Sequence, residues 1–205
     1  MATITVNGYG EVSVPPDEAT LMLGVDAVAS TPRDAMAEVA ERARELVALL
    51  DELEIAPAKR STSGVQVSEA GDYDNQGRWQ HRGFRAVEQL TVAAGPGVLG
   101  DLIGGAVERG RARVDGPRWL IASDNPARKQ ALQAAAENAR ERADAVAAGL
   151  GVRVGAVAEA KEEAEVYPVV RQATFARVAE AAPPIEAGEL TVSCTVSVSF
   201  QVEAA

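Results

Sequence analysis

The chain has 205 residues, 47% of them hydrophobic but only 4% aromatic, and a formal net charge of −10. That length suits one ordinary domain, with a core built mainly of Ala, Val and Leu. The acidic balance argues against general nucleic-acid or anionic-membrane binding, the lone Cys194 excludes an internal disulfide, and no run approaches the ~20 apolar residues of a membrane helix.

Met1 leads directly into Thr3-Ile4-Thr5-Val6, a strand pattern with no basic or apolar leader before it. The resulting expectation is a cytoplasmic location, or a periplasmic or secreted one if a leader was removed. Ile4, Val6, Val12 and Val14 alternate with polar residues around Gly8-Tyr9-Gly10, and Pro15-Pro16-Asp17 turns the chain. Ala19, Leu21, Leu23, Val25 and Ala27 alternate on the way back, which predicts a β-hairpin.

Thr31-Pro32-Arg33-Asp34 opens a helix, with Thr31 as cap and Pro32 at the first helical position. Its apolar face is Met36, Val39, Ala40, Ala43, Leu46, Val47, Leu50 and Leu53. Strands follow over 61–69 and 82–93, then a short helix over 98–108 and a strand over 111–122. Ser123-Asp124-Asn125-Pro126 starts a long Ala-rich helix whose inner stripe reads Leu132, Ala135, Ala139, Ala143, Val146 and Leu150. A strand at 152–161 precedes the aperiodic stretch 162–188. Leu190, Val192, Cys194, Val196, Val198, Phe200 and Val202 then form a strictly alternating last strand, with Cys194 on its apolar side. The order ββαββαβαββ predicts a single α+β domain over 1–205, a mixed and largely antiparallel sheet with helices on one face.

Val6-Asn7-Gly8-Tyr9-Gly10-Glu11-Val12, Pro16-Asp17-Glu18-Ala19 and Leu23-Gly24-Val25 resemble the opening of SIMPL-domain proteins. The similarity continues through Leu53-Glu54-Ile55, Ser61-Thr62, Tyr73, Gly77, Gly83-Phe84-Arg85-Ala86, Ala131-Leu132 and Pro184-Ile185 to Gly188-Glu189, covering residues 3–202 in one element order. The resemblance implies a bacterial protein without assigned catalytic residues. Its relatives include periplasmic immunogenic proteins, proteins of oxidative-stress defence and channel-like homo-oligomers.

The chemical motifs are weak beside this. Gly95-Pro96-Gly97-Val98-Leu99-Gly100 is a literal G-x-G-x-x-G between a strand and a helix, with Asp115 placed about where a ribose-binding acid belongs. Gly95, Gly97, Gly100 and Asp115 are the candidate dinucleotide site. The preceding strand carries Arg85, Glu88 and Gln89, unlike the apolar strands of a doubly covered parallel sheet, so a Gly/Pro turn is the plainer reading. Asp72-Tyr73-Asp74-Asn75-Gln76-Gly77 has calcium-loop spacing only in part and reads as a hairpin loop. His81 is the only histidine, which excludes a multi-His metal site. No cofactor or metal is expected.

The functional expectation is a non-enzymatic SIMPL-domain protein acting through homo-oligomeric assembly or partner binding. The alternatives are a dinucleotide-binding enzyme using Gly95–Gly100 and a small-molecule carrier with an apolar cleft between helices and sheet. Val166, Tyr167, Val169, Val170 and Phe175 give the 162–188 arm anchoring side chains and are the candidate oligomer contacts.

Overall fold

The computed structural model describes residues 2–163, 169–170 and 187–204. Among the described residues eleven elements follow in order: β1 (Thr3–Val14), β2 (Glu18–Ala29), α1 (Pro32–Glu52), β3 (Arg60–Tyr73), β4 (Trp79–Ala94), α2 (Leu99–Glu108), β5 (Arg113–Leu120), α3 (Pro126–Leu150), β6 (Val152–Glu163), the two-residue β7 (Val169–Val170) and β8 (Leu190–Ala204), with a 3₁₀ turn at Pro57–Lys59 and another at Pro96–Val98. The class is α+β, and among the described residues every strand pairing is antiparallel. The strands divide between two sheets, ordered β1-β8-β6 and β3-β4-β2-β5. The chain separates accordingly into two compact units, one made from both ends of the chain and the other spanning Asp17–Leu120.

The predicted β1–β2 hairpin does not form: β1 pairs with β8, and β2 lies between β4 and β5. The cause lies in what each strand can pack against. In the terminal unit, Gly8 and Gly10 face α3, where an added Cβ at Gly8 would lie 2.0 Å from the Ala135 carbonyl oxygen and one at Gly10 2.1 Å from that of Ala131. The strand and helix backbones therefore touch, and only a helix with small side chains fits. α3 meets this with Ala127, Ala131, Ala135, Ala139, Ala143 and Ala147, a buried stripe at strict four-residue steps. The sequence-predicted stripe is corrected in part, because Val146 and Leu150 are exposed: close approach selects alanine over the larger side chains beside it. Asn125 caps α3 by accepting from the Ala127 N–H at 2.8 Å, and Gly151 ends it at φ +70°. Cys194 is buried on the β8 face with Val192, Val196 and Phe200, as alternation predicts.

In the 17–120 unit, α1 and α2 cover one face of the sheet. Thr31 caps α1 by accepting from the Asp34 N–H at 3.1 Å. Leu21 and Leu23 of β2, Leu46 and Leu50 of α1, and Leu99 and Leu102 of α2 are completely buried in one cluster. These side chains fill the interface between the helices and the sheet at that cluster. Val169 and Val170 pair with Thr191 and Leu190 of β8, while Val166, Tyr167 and Phe175 lie outside the described residues.

Candidate functional site

Alternation along β2 sends Leu21, Leu23, Val25 and Ala27 into the core and leaves Met22, Gly24, Asp26 and Val28 on the opposite face of the sheet. Gly24 sits opposite Gln89 on β4 and Arg113 on β5. Having no side chain there, it forms the floor of a shallow concavity of about 250 Å³ walled by Met22, Asp26, Arg85, Val87, Arg113 and Asp115. Asp26 is flanked from both neighbouring strands, by Arg113 at 3.4 Å and Arg85 at 3.6 Å. Asp115 pairs with Arg118 at 3.0 Å. Each carboxylate of this face has a guanidinium beside it, so the face is polar but electrically balanced.

The same sheet carries a projecting arm. β2 ends at Ala29, opposite Phe84, whereas β3 and β4 continue as a two-stranded ribbon to Tyr73 opposite Trp79. Gly83, at φ +131°, lies against the Ala29 carbonyl where the ribbon leaves the sheet. The turn at the tip is organised by Asp74. Its Oδ1 accepts the backbone N–H groups of Gln76 and Arg78, both at 2.9 Å, and its Oδ2 accepts from Arg78 Nε at 2.9 Å and Gln80 Nε2 at 3.3 Å. The Arg78 backbone hydrogen bond, foremost among these, holds the Asp74 carboxyl below its ordinary pKa. Gly77 supplies the left-handed residue, φ +75°, that closes the turn. Both oxygens of the one carboxylate central to the calcium-like spacing thus serve the hairpin itself.

Just behind this turn, Tyr73 and Trp79 stack edge to face with centroids 5.1 Å apart, and remain 72% and 46% exposed. His81 makes a second edge contact, with Phe84 at 5.3 Å. This aromatic clasp is not among the expectations drawn from the sequence. The signal was present: Tyr and Trp six residues apart around a Gly turn are cross-strand partners in a hairpin.

Gly95 precedes the 3₁₀ turn at the end of β4, with Gly97 inside that turn and Gly100 in the first turn of α2. Open space surrounds Gly97 and Gly100. β4 is antiparallel to both its neighbours, so the loop does not join the parallel strands of a dinucleotide fold. Asp115 is opposite Met22, across β2 from the loop-bearing strand, and its carboxylate faces Arg118. The structure does not bring the three glycines and Asp115 to one place. Among the described residues, no His, Cys, Asp and Glu cluster could hold a metal ion, and no helix is long and apolar enough to cross a membrane.

The SIMPL family model, described as a protein of unknown function (DUF541), matches residues 4–200. The chain is 28% identical over 98% of its length to "Uncharacterized protein YggE" of Escherichia coli strain K12, covering 83% of that protein. It is 29% identical, again over 98% of its length, to the "26 kDa periplasmic immunogenic protein" of Brucella melitensis, covering 85% of it. A YggE protein of Edwardsiella ictaluri is 28% identical over 75% of this chain, and the chain spans 65% of that relative's length. The expected cytoplasmic location is corrected by these matches, because a relative aligned along nearly the whole chain is named for the periplasm.

Proposed function

The chain belongs to the SIMPL family, and from that premise we propose that it works by binding, without catalysis, through homo-oligomeric assembly or a protein partner in the periplasm. The location follows the name of the Brucella relative. The binding role is carried by one observation, the projecting β3–β4 arm with its exposed Tyr73–Trp79 pair. An exposed aromatic pair costs solvation at a position that contributes nothing to the core of its own sheet. Tyr and Trp are also the side chains most enriched among energetically dominant interface residues. The Asp74 turn stiffens the tip, so little conformational freedom is lost on docking.

Sedimentation velocity and native mass spectrometry of the wild type and of Tyr73→Ser/Trp79→Ser test this reading. The wild type is expected to assemble at micromolar concentration, and the double substitution to weaken assembly at least tenfold with far-UV circular dichroism unchanged. A monomeric wild type refutes homo-oligomeric assembly and leaves only the protein partner, and an assembly indifferent to both substitutions refutes the role of the aromatic pair.

A further inference from the structure

Among the described residues the long edge strands are β1, β6, β5 and β3, and the first three carry features that deter pairing with another strand. β5 has Arg113, Asp115 and Arg118, a proline at 117 and a register shift against β2. β6 has Arg153, Glu159, Lys161, Glu162 and Glu163, with two register shifts. On β1, the Tyr9 N–H already donates to Asn138 Oδ1 of α3 at 3.1 Å. The outer edge of β3 differs. From Ser61 to Ser68 it has neither a charge nor a proline, and beyond the irregularity at Ser63 its pairing with β4 runs straight from Gly64 to Ala70. Val65 and Val67 stand on the helix-bearing face of this edge, 54% and 41% exposed, with Val47 of α1 40% exposed on the same side. A backbone edge unpaired among the described residues thus coincides with exposed β-branched side chains.

We infer that this edge pairs with the β3 edge of a second copy, antiparallel about a two-fold axis at Gln66, joining two four-stranded sheets into one of eight strands. The inference rests on the assembly reading above and specifies one of its contacts. The occupant is argued from self-complementarity. A two-fold axis between antiparallel strands places one residue opposite its own copy. With Gln66 in that position, Val65 of each copy faces Val67 of the other, and four valines close into one cluster on the helix-bearing face. Gly64 falls opposite Ser68, and the straight segment Gly64–Ser68 carries no charge, so no like charges meet across the axis. Parallel pairing in register would set Glu69 against Glu69 and leave an edge free on each copy, an arrangement that propagates where the antiparallel one closes.

Cysteine crosslinking reads the register directly. Residues directly opposite in an antiparallel pair have Cβ atoms about 4.5–5.5 Å apart, and the close pairs alternate with the wide ones along the strands. Mild oxidation should therefore give covalent dimers either from Gln66→Cys alone or from a mixture of Val65→Cys and Val67→Cys. Ser61→Cys alone should give none, and neither should the wild type, whose only thiol is buried Cys194. Val67→Lys should reduce the assembly's size in sedimentation while leaving circular dichroism unchanged. An assembled wild type with no dimers from either set, or with Ser61→Cys bridging as readily, overturns the β3 pairing and leaves the assembly reading intact. A monomeric wild type removes both. Uptake of unrelated extended peptides by a monomeric protein would make the occupant a foreign strand and also overturn pairing with a second copy.

Discussion

Gly10→Ala adds one methyl group to β1 where α3 crosses it. The new Cβ would lie 2.1 Å from the Ala131 carbonyl oxygen and 2.4 Å from the Ala135 nitrogen. An ordinary carbon–oxygen contact needs about 3.3 Å, so α3 must retreat by roughly 1 Å. A gap of that size forfeits about a quarter to a half of each dispersion contact along the alanine stripe. Overpacking typically costs about 1–3 kcal/mol, and the upper end applies here because both opposing atoms are backbone and cannot rotate aside. For a chain of this size, ~3 kcal/mol lowers the melting temperature by about 6–12 °C. Gly100→Ala is the control. It lies in α2 with no atom within 4 Å of the added Cβ, and replacing a helical glycine there should stabilise by a few tenths to about 1 kcal/mol. Thermal and urea unfolding followed by far-UV circular dichroism measure both. A Gly10→Ala protein that melts with the wild type would refute backbone contact between α3 and β1.

Three further outcomes are expected. The Cys194 thiol should resist a maleimide in the native protein and react after denaturation; rapid native labelling would show that β8 does not hold its register. Asp74 has a lowered carboxyl pKa, so its contribution to hairpin stability is present above the ordinary aspartate range and is lost as pH falls through its lower folded value. The Trp79 indole resonance should therefore hold its folded shift at pH 5 and move only in stronger acid, whereas Asp74→Ala should perturb it at neutral pH. Micromolar NAD or FAD should not bind, since the Gly95–Gly100 loop follows an antiparallel strand; saturable binding abolished by Gly97→Val would reinstate the cofactor reading.

Period and capping chemistry alone determined which segments are helix and which are strand. Thr31-Pro32 and Asn125-Pro126 start their helices, and alternation from Leu190 to Phe200 places Cys194 inside, because caps and alternation are local properties of the backbone. The ordered motifs likewise carried the family across residues 4–200. Strand partners were not legible in this way. Adjacent β1 and β2 read as a hairpin, yet they belong to different sheets, because β1 completes its pairing with β8 at the far end of the chain. The alanine stripe of α3 also needed the tertiary structure: hydrophobicity favours Leu150 and Val146, and only the approach of Gly8 and Gly10 makes the smaller side chains the buried ones. Tyr73, Trp79, Val65 and Val67 are ordinary strand residues in the sequence. Exposure together on a projecting arm and an open edge depends on where β2 stops and which strand lies outermost, and these are settled by long-range pairing.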